Sequence, residues 1–580
     1  MISYRKLAMR VLGHSPVSAP KTARRRSTAK RAAALALTAA LVVGMTLPAF
    51  ADTWFIEDGN ISISAGESGN HVEQGDKKQD ETTETIITNR ESTASSNTVT
   101  IDAGEGKTVD VTLDNVNINT SETGGAAVSV TGKGDTNIEL DGNNTLTSGY
   151  YHAGLEHNKT DDSGTLTITD NNNDGKLTAN GGYKGAGIGG GYSSNGTVTI
   201  TGGGINANGG YKGAGIGGGN SGNGAVTITG GDINANGGYK GAGIGGGYFG
   251  NGTVKITDGD INANGGYKGA GIGGGNEKDG QVTITGGEII ANGGDGSAGI
   301  GGGYFGNGTV NISGGTITEA SGGGEGAGIG GGDSGNGTVN ISGGTITKAS
   351  GGYYGAGIGG GSSGNGTVTI SGGTITEASG GYEGAGIGGG SSGLGNVSIE
   401  GNVTIKNAQG GAGAAGIGGG AESEPDAAGN GNKISIKSTA AGSPNITATG
   451  GRAYENRWVS LPGAAAIGSG SVDESHGQVN AKSDITIEGK VTIDATGGGD
   501  VAIGDNDGEK VFNGLAGGTN IKRTDSNGKD VTQDGDVVAE PEPEPKPEPE
   551  EPEKPAQPTV TPTEAAEAPS TGSVEVERPV

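Results

Sequence analysis

The chain has 580 residues, of which 131 are glycine and none is cysteine, and its formal net charge at pH 7 is −27. Glycine is several times more frequent than the usual ~7%, and hydrophobic residues make up only 30%, so the chain cannot fill one large compact core. The lack of thiols excludes disulfides and cysteine-ligated zinc. The acidic charge disfavours nucleic acid as a partner because phosphates would be repelled.

Residues 1–51 have the pattern of a targeting segment. Basic side chains without acids precede an apolar run at residues 32–47, and Ala49-Phe50-Ala51 supplies a small-x-small cleavage pattern. The run is shorter than the ~20 residues that a membrane span needs. We therefore predict a secretory signal peptide and an exported mature chain with no transmembrane span.

Residues 52–180 have a strand rhythm without a strict repeat. Apolar and polar residues alternate at positions 109–113, for example, which read Val-Asp-Val-Thr-Leu. Such alternation indicates half-buried strands. This block is predicted to form an N-terminal cap and the first irregular coils.

Residues 181–420 contain a regular repeat. The string Ala-Gly-Ile-Gly-Gly-Gly occurs nine times, with a spacing of 28 residues in the first copies and 29 or 30 in the later ones. Its isoleucines are Ile188, Ile216, Ile244, Ile272, Ile300, Ile329, Ile358, Ile387 and Ile417. The longer units carry one extra residue in Ile-Thr-Glu-Ala-Ser-Gly-Gly, at positions 317–323, and we expect this residue to lie in a turn.

Each unit contains three short alternating pieces, at 186–188, 198–200 and 205–207 in the first copy. Alternation indicates strands, and the glycine-rich pieces between them indicate turns. Three strands per unit without helices predict an all-β fold, a single long parallel β-helix or solenoid that winds right-handed and has disordered termini. Degenerate copies around Ile467 and Ile503 extend the coils through residues 421–515.

Residues 516–580 are predicted to form an acidic, proline-rich disordered tail. Prolines alternate with Glu and Lys at 541–555, which favours an extended polyproline II rod and suits a spacer through a bacterial cell wall. Ala-Pro-Ser-Thr-Gly at 568–572 is similar to the sortase signal Leu-Pro-x-Thr-Gly, but Ala568 replaces the leucine and no apolar segment follows. The mode of anchoring stays open.

Three strings carry a resemblance to a known family: Val111-Thr-Leu-Asp-Asn-Val-Asn-Ile118, Gly-Lys-Leu177-Thr-Ala-Asn-Gly-Gly and the repeated Gly-Ala-Gly-Ile-Gly-Gly-Gly. Over roughly residues 55–510 the chain resembles the carbohydrate-binding β-helix surface proteins of clostridia and related Gram-positive bacteria. The resemblance implies a right-handed β-helix, calcium sites, and binding of plant-type or acidic polysaccharide without catalysis. The signal peptide and the proline-rich tail predict a secreted or cell-wall location.

Stacked coils align equivalent residues in columns. One predicted column, the tyrosine column, contains Tyr183, Tyr211, Tyr239 and Tyr267, and the adjacent lysine column contains Lys184, Lys212, Lys240 and Lys268. Lysines about 5 Å apart in water repel by about 0.8 kcal/mol per neighbouring pair, which an extended polyanion would relieve. Tyrosine rings can stack on sugar faces. We therefore predict an acidic polysaccharide as the ligand, with peptidoglycan as a further partner, and the alternative is that duplication copied surface residues that bind nothing.

A calcium site is predicted at Asp170, Asn172 and Asp174. The string Asp170-Asn-Asn-Asn-Asp174-Gly matches the first six positions of an EF-hand-type loop. Gly181 stands where that loop has a glutamate, and an ordinary Asn/Asp/Gly turn is the alternative.

These observations leave three hypotheses for function. The first is a secreted or wall-associated surface protein, such as an adhesin, that binds glycan or a host surface without catalysis. The second is a passive stalk with the same fold and no ligand. The third is a polysaccharide lyase of the pectate-lyase type, for which no catalytic set can be identified in the sequence.

Overall fold

The computed structural model describes residues 52–538, apart from 68, 82–84, 457–458, 474–477, 505–510 and 534–535. Within these residues the chain is all-β and forms a parallel solenoid of about 16 turns, with one short 3-10 helix at Ile56–Asp58. The predicted fold class is confirmed. The predicted signal peptide and the proline-rich part of the tail lie outside the described residues.

One coil shows the plan of all the others. Three strands, Ile188–Gly189, Asn195–Ile200 and Gly204–Asn208, follow one another along the chain and belong to three parallel ladders, which we call sheets B, A and C. Each strand pairs in parallel with its equivalent in the next coil, so that Ile188 aligns with Ile216. Val198 likewise aligns with Val226. One sequence repeat thus forms one complete turn of the solenoid.

The strands of sheet A are Thr53–Phe55, Thr85–Thr88, Thr108–Asp114, Asp135–Asp141, Leu166–Thr169, Asn195–Ile200, Gly224–Ile228, Gly252–Ile256, Gly280–Ile284, Gly308–Ile312, Gly337–Ile341, Gly366–Ile370, Gly395–Glu400, Asn432–Lys437, Ser483–Gly489 and Val511–Leu515. Those of sheet B are Ile61–Ala65, Asn70–Gln74, Lys77–Glu81, Val99–Ala103, Val128–Gly132, Leu155–Lys159, Ile188–Gly189, Ile216–Gly217, Ile244–Gly245, Ile272–Gly273, Ile300–Gly301, Ile329–Gly330, Ile358–Gly359, Ile387–Gly388, Ile417–Gly418, Ile467–Gly468 and Ile503–Gly504.

The strands of sheet C are Asn117–Asn119, Asn143–Thr147, Lys176–Asn180, Gly204–Asn208, Asp232–Asn236, Asp260–Asn264, Glu288–Asn292, Thr316–Ser321, Thr345–Ile346, Ala349–Ser350, Gly373–Ile375, Ala378–Ser379, Val403–Gln409, Asn445–Thr449, Thr492–Thr496, Thr519–Thr524 and Val537–Val538. A separate antiparallel pair joins Tyr454–Glu455 to Ser460–Leu461.

The core is one continuous stack of aliphatic side chains inside the rod. In the coil that begins at Ile216, the side chains of Ile216, Val226, Ile228 and Ile233 are all buried, and the same positions are buried in every regular coil. Burying each such side chain contributes about 1.5–3 kcal/mol. Because one coil cannot offset its own chain entropy, neighbouring coils stabilise each other.

The repeated glycine after each sheet B isoleucine is required by close packing of the coils. Gly217 has a φ of 130°, which side chains other than glycine rarely adopt. A Cβ atom at Gly217 would lie 2.1 Å from the carbonyl oxygen of Gly245 in the next coil. The string Ala-Gly-Ile-Gly-Gly-Gly therefore sets the distance between coils as well as the core.

The extra residue of the later coils lies in a strand and not in a turn, so the expectation for this insertion was wrong. The register of sheet C shifts between Ile289 and Ile290, which align with Ile317 and Glu319 and leave Thr318 without a partner position. This is a β-bulge, which accommodates one added residue by a local kink. In the following coils the strand is divided into two parts, such as Thr345–Ile346 and Ala349–Ser350.

Both ends of the described rod have irregular coils. At the N-terminus Trp54 is buried and Lys77 places its ammonium 3.8 Å from the centre of the indole. At the C-terminus the strand Thr519–Thr524 pairs with Thr492–Thr496. The solenoid therefore continues beyond residue 515, into the segment that the sequence assigned to the tail.

Candidate functional site

Two turns flank sheet B in every coil, and together they form one edge of the rod, which we call the aromatic edge. In one coil these turns are residues 209–213 and 218–223. Backbone hydrogen bonds between coils hold them in line, since Lys212 N–H donates to the Tyr183 carbonyl at 3.0 Å and Tyr248 N–H donates to the Lys212 carbonyl at 2.9 Å. The predicted tyrosine and lysine columns both lie on this edge.

The rings of the tyrosine column stack on one another. Ring centres are 5.0 Å apart for Tyr183 and Tyr211, 5.0 Å for Tyr211 and Tyr239, and 5.1 Å for Tyr239 and Tyr267. Tyr150 extends the stack by one ring, 4.9 Å from Tyr183. Neighbouring rings cover the ring faces, so a ligand would meet ring edges and phenol hydroxyls. This arrangement differs from the expectation that the rings stack on sugar faces.

The lysine column is ordered by a second set of rings. Lys184 holds its ammonium 4.2 Å from the ring centre of Tyr192, and Lys240 lies 4.4 Å from that of Tyr248. Lys212 lies 5.3 Å from the centre of the same Tyr248 ring. Such cation–π contacts contribute about 0.5–1 kcal/mol at exposed sites. They hold each ammonium group over an aromatic ring of the second turn.

This second set of rings was not predicted from the sequence. Tyr192, Tyr248 and Tyr304 follow every second sheet B isoleucine by four residues, while Asn220 and Asn276 occupy the same position in the coils between them. The sequence does contain this pattern, because the tyrosine recurs in every second coil. It was not recognised because the one-coil period dominates the sequence.

A buried acid closes the N-terminal end of the aromatic edge. Glu156 is 5% exposed and stands where the later coils have glycine, aligned with Gly189. Its carboxylate accepts hydrogen bonds from the Ala153 N–H at 3.0 Å and from Asn158 Nδ2 at 3.0 Å. His152 Nδ1 lies 2.9 Å from the same carboxylate, and this hydrogen bond raises the pKa of His152.

The three predicted calcium ligands lie in a hydrogen-bonded turn between sheets A and C. Asn172 Oδ1 accepts a hydrogen bond from the backbone N–H of Asp174 at 3.1 Å, which is the pattern of an Asx turn. One carboxylate oxygen of Asp170 is buried without a hydrogen-bond partner among the described residues. Across the part of the chain that the structure describes, no group of three or more His, Cys, Asp or Glu residues could hold a metal ion. The calcium site stays a prediction. A shorter string of the same kind, Asp505-Asn-Asp507-Gly508, lies outside the described residues.

Repeat geometry and sequence comparison agree on the class of this protein. The coils define a parallel β-solenoid with one aromatic edge, and seven segments match the family model described as Beta helix repeat, at residues 172–192, 226–248, 254–276, 282–304, 310–333, 339–362 and 368–391. These segments thus contain β-helix repeats, and the parallel solenoid that they form is consistent with a surface or structural role. No curated protein and no solved structure matches it. Between residues 52 and 538, no described helix is long and apolar enough to cross a membrane.

Proposed function

We propose that this β-helix repeat protein is exported to the bacterial cell surface or wall and binds an acidic polysaccharide along its aromatic edge, without catalysis. The observation that carries the proposal is the concentration of exposed aromatic side chains on that edge. Large apolar groups are costly to leave in water, and a continuous exposed patch favours an interaction surface. The exposed aromatic residues on this edge are Tyr150, Tyr151, Tyr183, Tyr192, Tyr211, Tyr239, Phe249, Tyr267, Phe305 and Tyr353.

The lysine column supplies the charge that an acidic glycan requires. Its four ammonium groups recur once per coil, at a spacing of about 4.8 Å, and each is held by an aromatic ring. An extended polyuronate offers one carboxylate per sugar. Binding would relieve the repulsion between neighbouring lysines, while phenol hydroxyls along the tyrosine column would donate to sugar oxygens.

The passive stalk is the second candidate, and a specific observation favours it. Each tyrosine already packs on the next tyrosine, and each lysine already lies over a ring, so the edge is stabilised without any ligand. The lyase is less favoured because the regular coils that carry the lysine column repeat nearly the same side chains, whereas a catalytic centre there needs one coil that differs from its neighbours.

Binding to polygalacturonate tests the proposal. We expect the purified chain to bind at low salt and to lose affinity at moderate salt, because screening weakens charge pairing. Replacing all four lysines of the column with glutamine should abolish binding, while Lys255→Gln on the outer face of sheet A should leave it unchanged. Equal binding by both variants would show that the lysine column is not the glycan site, and no salt-sensitive binding to any acidic glycan would favour the stalk. Production of unsaturated uronates, followed by their ultraviolet absorbance, would instead identify a lyase.

A further inference from the structure

The aromatic edge changes its charge halfway along the rod. The column that contains Lys184, Lys212, Lys240 and Lys268 in four successive coils continues with Gly296, Glu325, Tyr354 and Glu383 in the next four. Asp295 lies beside Gly296 and occupies the next position of the tyrosine column. Backbone hydrogen bonds confirm this alignment. The carbonyls of Lys184, Glu325 and Glu383 each accept a hydrogen bond from a backbone N–H in the second turn of the next coil. The donors are Asn220, Ser362 and Ala421, respectively. One half of the edge is therefore basic and the other half is acidic.

The acidic half brings several carboxylates close together, and Lys268 offsets part of this charge at Asp333. Burial and the neighbouring carboxylates of Asp333 and Asp295 raise the pKa of Glu325. Burial, together with the charge of Glu422, raises the pKa of Glu383 even though Ser391 donates a hydrogen bond to its carboxylate. A cationic partner placed over these groups would be favoured.

We infer that two copies of this chain associate edge to edge and antiparallel, with the basic half of one aromatic edge on the acidic half of the other. A two-fold axis between the coils of Lys268 and Asp295 places Lys184 opposite Glu383, Lys240 opposite Glu325 and Lys268 opposite Asp295 of the second copy. Lys212 then faces Tyr354, whose ring can accept a cation. Symmetry repeats every pair, which is the self-complementary arrangement of a two-fold interface.

Among the arrangements in which all eight coils of one copy overlap those of the other, only the antiparallel one pairs opposite charges. In a parallel arrangement each lysine would face a lysine, and each contact at about 5 Å would cost about 0.8 kcal/mol in water. The eight coils extend over about 38 Å at the strand spacing of a sheet. Such a narrow strip belongs to the small, weak class of interfaces below about 1,200 Å². The dimer should therefore dissociate readily and depend strongly on salt.

This association does not depend on glycan binding, but it uses the same lysines. An acidic polysaccharide and a second copy would compete for the lysine column. Variants of the acidic half separate the two, because Glu325→Gln and Glu383→Gln together remove two of the three kinds of charge pair in the dimer and leave every lysine in place for a glycan.

Sedimentation velocity of the purified chain at low and moderate salt tests the inference. We expect a concentration-dependent dimer at low salt that dissociates at moderate salt. Lys240→Glu should raise the Kd of the dimer at least about tenfold. The new glutamate would face Glu325 of the second copy, and the two-fold symmetry repeats this repulsion. The double variant Lys240→Glu with Glu325→Lys should restore the wild-type affinity, since each pair is re-formed with its charges exchanged. Lys184→Glu with Glu383→Lys is an independent second charge exchange.

Lys255→Glu, on the outer face of sheet A in the same part of the rod, is the matched control and should dimerise like the wild type. A chain that stays monomeric at low salt overturns the inference. So does a dimer that neither charge exchange rescues, because its interface must then lie elsewhere. Circular dichroism of each variant confirms that the solenoid has folded.

Discussion

The ammonium of Lys268 lies 3.7 Å from the ring centre of Tyr304, a residue of the following coil. Lys184 and Lys240, by contrast, lie over tyrosines of their own coils, Tyr192 and Tyr248. The coil of Lys268 has Asn276 at the equivalent position, so its lysine reaches forward by one coil. Alternation of Tyr and Asn thus ties coils together in pairs along the aromatic edge.

A double-mutant cycle between Lys268→Met and Tyr304→Leu tests this link. We expect a coupling energy of about 0.5–1 kcal/mol, the range for exposed cation–π contacts. Native-state hydrogen exchange of the amides around Tyr304 measures the local free energy of opening. The same cycle between Lys268 and the distant Tyr192 is the control and should give no coupling. Equal coupling in both cycles would contradict a direct contact.

Substitution of Gly245 by alanine should destabilise the rod strongly. Gly245 has a φ of 131° and a Cβ there would lie 2.1 Å from the Gly273 carbonyl oxygen. We expect a loss of more than about 3 kcal/mol, because backbone strain and a clash with immobile backbone combine. Gly204→Ala is the control and should be nearly neutral, since Asp232 occupies the aligned position in the next coil. Thermal melting compares the two variants.

Truncation of one core isoleucine should cost far more than loss of an outward side chain. Ile244 is fully buried between its equivalents in the two adjacent coils. Ile244→Ala should lower the free energy of unfolding by about 2–5 kcal/mol and Ile244→Val by about 0.5–1.5 kcal/mol. Thr253→Ala, at an exposed position of sheet A, should change it by less than about 0.5 kcal/mol. Denaturant titration gives these differences, and similar losses for Ile244→Ala and Thr253→Ala would be incompatible with a continuous core.

His152 should titrate above the ordinary histidine pKa, and His157, five residues further along the chain, should titrate below it. The hydrogen bond to Glu156 raises the pKa of His152 above 6.5, whereas burial lowers the pKa of His157 below it. A raised pKa in the folded state means that the His152–Glu156 pair stabilises the fold fully below about pH 6.5 and loses this effect as the pH rises through the folded pKa. NMR titration of both imidazoles measures the two values. The variant His152→Asn should remove the corresponding fall in Tm between pH 6 and 9.

Removal of divalent cations distinguishes the predicted calcium site at Asp170–Asp174 from an ordinary turn, for which the Tm should stay unchanged. The turn at Asp170–Asp174 is held by its own hydrogen bonds, from Asp174 N–H to Asn172 and from Asn171 to the Glu139 carboxylate. These contacts stabilise the turn without an ion. Melting with and without a chelator is the measurement. A fall in Tm that added calcium reverses, and that Asp174→Asn abolishes, would show that the turn is a calcium site.

Sequence alone was sufficient for the solenoid, its three strands per coil and its core. Ile188, Val198 and Ile205 recur with a period of 28 to 30 residues, and only stacking of successive coils buries all of them. Alternation along each strand also separates inward from outward residues, so the tyrosine and lysine columns could be predicted. The position of the extra residue near Thr318 could not, because a bulge and a longer turn add the same single residue to the period.

What the outward side chains contact was decided only by the tertiary structure. The pairing of Lys268 with Tyr304, the stacking of Tyr183 on Tyr211 and the burial of Glu156 all depend on turn conformation and on distances between coils. A periodic sequence specifies which residues share a column, because parallel strands align equivalent positions. It does not specify which neighbouring column a flexible side chain reaches, since that choice depends on the geometry of turns held by contacts between coils.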